Sequence, residues 1–211
     1  MDGIKNCVFC DLKLNKGKVI FETENFFVGI GIGLSAPGHV MLIPKKHFAC
    51  CADISEDLRP EFEDLKSLIF EKIKDAFGAP FLAEYGVFGQ SVSHAHLHFI
   101  PKTRKATEVY PAYEIKDIFR EMGIPNDIPS RPALWKTAAA MKNKNGGYVF
   151  LQDGGRAVLF GRFEKELSYR HFFSENPGVK DVPARWQDTT AEQEKIDVVK
   201  KQITCQLLKF Y

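Results

Sequence analysis

Ser93-His94-Ala95-His96-Leu97-His98-Phe99-Ile100-Pro101 sets three of the chain's six histidines at strict alternation. In a β-strand successive side chains point to opposite faces, so His94, His96 and His98 share one face and Ala95, Leu97 and Phe99 the other. On a helix the same three would fan out by about 200° per step and converge on nothing. The stretch reads as a strand with one apolar face for a core and one row of imidazoles. Three imidazoles in register point to a site rather than to idle surface residues.

The loop Gly86-Val87-Phe88-Gly89-Gln90-Ser91-Val92 leads into this strand. Gly89, Gln90 and Ser91 suit an anion or phosphate held by backbone N–H groups and a hydroxyl. Residues 80–85 read as a further strand. Before it, residues 55–77 read as a helix, because Leu58, Phe62, Leu65, Ile69, Ile73 and Phe77 fall at helical spacing and Gly78 supplies a stop. Residues 39–43 are a buried strand ending at Pro44-Lys45-Lys46-His47, and residues 18–21 and 25–30 are two strands around a Glu22-Thr23-Glu24 turn. Gly29, Gly31 and Gly33 then alternate with Ile30, Ile32 and Leu34. They form either a twisted or bulged strand or a bare floor for a ligand. No helix follows, so they are not a dinucleotide fingerprint.

Beyond Pro101 comes a basic exit, Lys102-Thr103-Arg104-Lys105, and then a helical stretch at 113–122 and a loop at 123–129. Residues 147–152 and 156–163 read as strands joined by the Asp153-Gly154-Gly155 turn. Residues 167–174 and 190–208 read as helices around a Pro-rich loop that contains Trp186. The fold expected is α+β: an antiparallel sheet with a packed helix over residues 1–105, followed by a smaller α+β extension over 106–211.

The chain has 211 residues, 45% of them hydrophobic and 27% charged, which is ordinary for a globular protein. A net charge of +2 argues neither for nor against a nucleic-acid partner. No apolar run reaches the length of a membrane span, and Met1–Lys5 opens no signal-peptide core. Five cysteines, with Cys50 and Cys51 adjacent, do not resemble a disulfide framework, so a reducing, cytoplasmic location is expected. Cys7-Val8-Phe9-Cys10 has the spacing of two thiolates on one zinc ion. On spacing alone it is a zinc half-site, a redox dithiol or two packed free cysteines.

The order of parts carries a resemblance: Cys7-x-x-Cys10, Gly38-His39, Pro44-Lys45-Lys46-His47, Gly89-Gln90-Ser91, then His94-Ala95-His96-Leu97-His98-Phe99-Ile100. Over about residues 5–103 it resembles the histidine triad superfamily, whose signature is His-φ-His-φ-His-φ-φ with φ apolar. The resemblance implies a nucleotide hydrolase or nucleotidyl transferase acting at an α-phosphate through a covalent nucleotidyl-histidine. His96 would be the nucleophile; His98, His39, Gln90, Ser91 and Gly89 would surround the phosphate and leaving group. It also implies a structural zinc on Cys7, Cys10, His47 and His94, and a homodimer that the extension could alter or replace. Two positions depart from the family pattern: Gly31 stands where many members bind ribose with an acidic residue, and Ala83-Glu84 where many have Asn. Two other readings compete with the enzyme: a non-catalytic nucleotide- or RNA-binding module, and a hydrolase whose metal is held by the triad itself. In the last, His96 would be lost as a nucleophile.

Overall fold

A computed structural model describes residues 7–11, 15, 17–30, 38–87, 90, 92–101, 131–154 and 156–160. Gly31, Gly33, Gly89, Ser91, the basic exit, the helices expected at 113–122, 167–174 and 190–208 and the Trp186 loop lie outside these residues. Among the described residues seven strands form one antiparallel sheet: β1 (Val19–Glu22), β2 (Phe26–Ile30), β3 (Val40–Pro44), β4 (Pro80–Gly86), β5 (Leu97–Pro101), β6 (Tyr148–Asp153) and β7 (Arg156–Phe160). Their order across the sheet is β1-β2-β3-β5-β4-β6-β7. Two helices are described, α1 (Arg59–Phe77) and α2 (Arg131–Asn145).

Alternation along the strands sorts the core onto two faces. Phe26, Val28, Ile30, Val40, Leu42, Leu82, Leu97 and Phe99 join Phe62, Leu65, Ile69 and Ile73 of α1 in the larger cluster. Phe27, Met41 and Ile43 pack instead with Cys7 and Phe9 on the other face. Each large apolar side chain so buried contributes roughly 1.5–3 kcal/mol, and both faces of the central strands are covered.

The helix expected at 55–77 begins at Arg59. Pro60 has no N–H and fits only a first turn, so a start at Ser55 would have put it inside the helix. The histidine strand is also shorter than expected, starting at Leu97, with His94 and His96 in the bend that enters it. β3 and β5 pair Val40 with Phe99 and Leu42 with Leu97, so extending that register sets Ala95 opposite Pro44. Pro44 has no N–H to offer a ladder. The Ala95 N–H donates to Phe48 O at 2.7 Å instead. The facing pattern survives, since Ala95, Leu97 and Phe99 all enter the larger core.

The expected hairpin after residue 146 is present as β6 and β7, but the described part of the extension does not build a separate core. β6 pairs with β4 from Phe81↔Asp153 to Gly86↔Tyr148. α2, which the sequence reading assigns to no element, lays Trp135 against Phe62 and Phe150, with ring centroids 5.6 Å apart in each pair. Trp135 Nε1–H donates to Glu63 at 2.6 Å, and Lys142 pairs with Asp53. Leu134, Trp135, Ala138, Tyr148 and Phe150 thus share one apolar cluster with residues of β2–β5 and α1. With β5 on one side and β6 on the other, β4 also offers no free edge to a second copy.

Glu84 of β4 is wholly buried in this sheet, where its carboxylate accepts the Cys51 N–H and the Tyr148 O–H, each at 2.6 Å. Burial dominates over these hydrogen bonds and pushes the carboxyl from 4.5 up to about 7. Between those values the folded protein holds a proton that the unfolded chain has lost, so the group's contribution to stability falls as pH rises through that window. Replacing Glu84 by Gln removes this titration. From about pH 5 to about pH 8 the wild type is expected to lose about 1–3 kcal/mol of stability relative to Glu84→Gln, read from urea midpoints at the two pH values. Parallel curves for the two proteins would contradict it.

Candidate active site and metal cluster

The Cys7–Cys10 segment is a tight turn: the N–H groups of Cys10 and Asp11 both donate to Cys7 O, at 3.1 and 3.2 Å. Buried Asn15 ties it off from behind, its Nδ2 donating to Val8 O at 2.6 Å and Asp11 O at 2.9 Å. Both sulfurs then meet two imidazoles. Cys7 Sγ lies 3.3 Å from His94 Nδ1, and Cys10 Sγ lies 3.4 Å from both His94 Nδ1 and His47 Nδ1. The four ligand atoms lie within 4.8 Å of one another. A tetrahedral ion with bonds of about 2.3 Å to sulfur and about 2.05 Å to nitrogen requires sulfur–nitrogen separations of about 3.6 Å. The donor set therefore fits a four-coordinate ion and leaves no open position.

His94 is prepared for that role. Its Nε2 lies 2.8 Å from Pro44 O. A carbonyl can only accept, so Nε2 carries the proton and Nδ1 keeps its lone pair for a metal. Burial, with smaller contributions from His47 and His96, lowers His94 to about 4, so the ring stays neutral at physiological pH. Burial and the neighbouring Cys7 push the Cys10 thiol up to about 11, so an ion binding here must displace a thiol proton.

His96 is oriented by the same logic. Its Nδ1 lies 2.6 Å from His94 O, so that nitrogen is the N–H and Nε2 bears the lone pair. Phe9, between the two cysteines, sets its ring edge-on to both His96 and His94, with centroids 5.3 and 5.8 Å away. His98, on β5, pairs with His39, the residue before β3, with His98 Nδ1 2.9 Å from His39 Nε2. Of two such nitrogens one donates and the other accepts. Gly38 puts His39 there: its φ is +84°, and a Cβ would lie 2.5 Å from the Phe77 ring. Gln90 donates from Nε2 to Ala49 O at 3.0 Å.

The residues expected at the site are thus gathered in two groups, Cys7, Cys10, His47 and His94 in one and His96, His98 and His39 in the other. Gln90 reaches the loop that follows His47. Among the described residues, the one group of ligand atoms gathered closely enough to hold a metal takes only His94 from the triad, while the His96 and His98 rings lie edge-on to each other with centroids 4.8 Å apart. Phe9, Asn15 and Tyr148 were not legible as site residues. Phe9 and Asn15 sit beside a motif that was read, but only the folded turn shows what they touch.

A HIT domain profile matches residues 13–105. Protein hit of Bacillus subtilis is 30% identical over 113 residues, spanning 50% of this chain and 77% of its own length. An adenosine 5′-monophosphoramidase of Candida albicans is 30% identical over 114 residues, spanning 48% of this chain and 74% of its own. A bis(5′-adenosyl)-triphosphatase of Dictyostelium discoideum is 29% identical over 98 residues, spanning 43% and 64%. The chain belongs to the HIT family.

The cluster predicts one divalent ion per chain by elemental analysis. Cys7→Ser should abolish its binding and His96→Ala should retain it. Affinity should fall as pH is lowered, with proton release measurable by calorimetry in buffers of different ionisation enthalpy. An ion that departs with His96 would reverse the assignment.

Proposed function

We propose that the chain is a nucleotide hydrolase or nucleotidyl transferase that acts at an α-phosphate through nucleotidyl-His96. The observation that carries this reading is the 2.6 Å bond from His96 Nδ1 to His94 O, which fixes the tautomer needed for attack by Nε2. In the first step Nε2 forms a bond to the α-phosphorus and the bond from phosphorus to the leaving group breaks. The ring becomes an imidazolium whose remaining N–H still donates to the His94 carbonyl. In the second step water, or an acceptor alcohol in a transferase, forms a bond to phosphorus and gives its proton to solvent, while the phosphorus–Nε2 bond breaks and its electron pair returns to the ring, leaving His96 neutral. The His98–His39 pair holds a proton within one hydrogen bond and is suited to the oxygen or nitrogen of the leaving group. Gln90, with Gly89 and Ser91, supplies donors to the phosphate oxygens as charge develops.

The ion that fits Cys7, Cys10, His47 and His94 is zinc, by its ligand types and bond lengths. Zinc there would join the amino-terminal turn to the sheet; the set is closed, so its role is structural. The names of two relatives, a monophosphoramidase and a dinucleoside triphosphatase, support nucleoside phosphoramidates and dinucleoside polyphosphates as the substrates to try. Among the described residues no helix is long and apolar enough to cross a membrane.

Adenosine 5′-phosphoramidate and diadenosine triphosphate should be turned over by the full chain, with release of AMP. His96→Ala should lower kcat/KM by about 10³-fold or more while leaving the melting temperature near that of the wild type. A quenched reaction should trap a nucleotidyl group on His96. Equal turnover by the variant would reject the mechanism, and tight nucleotide binding without turnover would mark a binding module instead.

A further inference from the structure

Tyr148 stands where two segments of the site diverge. Its backbone pairs with Gly86 and bridges Val87, the point from which the chain leaves β4 toward Gln90. Its hydroxyl donates to Glu84 Oε2 at 2.6 Å and accepts the Ala52 N–H at 3.0 Å, while Glu84 Oε1 accepts the Cys51 N–H at 2.6 Å. One phenol and one carboxylate thus satisfy two successive backbone donors of the turn at Cys51–Asp53. The chain just before that turn reaches the site: Phe48 O accepts the Ala95 N–H at 2.7 Å and Ala49 O accepts Gln90 Nε2 at 3.0 Å. The segments that part at Tyr148 meet again in the Gln90–Ala49 bond.

The brace is closely fitted. Tyr148 and Glu84 are both wholly buried. A Cβ on Gly86 would lie 2.3 Å from the Tyr148 ring, so the end of β4 can hold only glycine beneath it. Val87 follows with φ of 86°, a left-handed conformation costly for a β-branched residue, and its N–H donates to Tyr85 O at 2.8 Å. This costly conformation falls at the point where the chain leaves β4 toward Gln90.

We propose that Tyr148, acting with Glu84, is a positioning residue for Gln90, fixing the place of its amide relative to the triad by bracing both segments that carry the Gln90–Ala49 bond. The inference rests on the reading of Gln90 as a donor to the substrate phosphate. It gives a strand beyond the HIT domain match a part in positioning the site.

A double-mutant cycle on the full chain tests it, with adenosine 5′-phosphoramidate as substrate. Tyr148→Phe keeps the ring and removes the hydroxyl, and is expected to lower kcat about 10- to 100-fold while KM stays within about twofold. In a Gln90→Ala background the same substitution should change kcat by less than about twofold. Undiminished loss in that background would overturn the proposal, because the hydroxyl would then act on something other than Gln90. The side-chain amide resonances of Gln90 read the same claim without turnover. They should shift in Tyr148→Phe and in Glu84→Gln, at temperatures where melting curves show each variant folded. Unmoved resonances in a folded variant would overturn it. If Tyr148→Phe does not fold, Glu84→Gln carries both arms. A wild type inert toward the substrate whose Gln90 resonances still shift in the variants would reject the proposed function and leave the positioning role standing.

Discussion

The two nitrogens of the His94 ring and its backbone carbonyl make four contacts on which the arrangement of the site depends. Nε2–H donates to Pro44 O at the end of β3, Nδ1 faces the two cysteine sulfurs, and the carbonyl receives the His96 Nδ1–H. Each is directional, and the ring is wholly buried, so water does not compete for these partners. The bond to Pro44 decides the tautomer of His94, which decides the nitrogen available to a metal. The bond from His96 Nδ1 decides which of its nitrogens carries the proton and which the lone pair. A single residue thereby fixes which ring nitrogen keeps its lone pair in two successive members of a run of alternating histidines.

The sheet makes this possible by being buried on both faces. On one side α1 and α2 cover it with an apolar cluster; on the other the Cys7–Cys10 turn brings Phe9 over Met41 and Phe27. Into the first of these layers the chain places a carboxyl group, Glu84, whose burial holds it near neutrality. A carboxylate there is tolerable because Cys51 N–H and Tyr148 O–H both point at it. Those bonds tie β4 and β6 to the loop that follows His47. The two faces are thus coupled through one loop, with His47 and the Phe48 and Ala49 carbonyls toward the site and the Cys51–Asp53 turn toward Glu84.

The covered edge of β4 has a consequence for assembly. A strand with both neighbours in place cannot template a further one. The outer strands of the described sheet are β1 and β7.

Period and punctuation were legible in the chain itself because they are local properties. The alternation at His94–His98 gave the correct facing of side chains, the apolar spacing through Phe62 and Ile73 gave α1, and Asp153-Gly154 gave the last hairpin. Pro60 and Pro44 also acted locally, yet their effects on where α1 and β5 begin depend on hydrogen bonds that a periodic reading does not count. The four expected ligands came from the resemblance to the histidine triad superfamily, because the spacing of Cys7 and Cys10 alone left a zinc half-site, a redox dithiol and two packed cysteines equally open. What only the tertiary structure decided are the contacts between residues far apart in the chain: Glu84 with Tyr148, Gln90 with Ala49, Phe9 with His96, and the joining of β6 to β4. No periodicity records such pairs. Which nitrogen of His96 carries its proton is likewise undetermined by residue order, because it follows from a carbonyl oriented by the bend that Pro44 imposes on the start of β5.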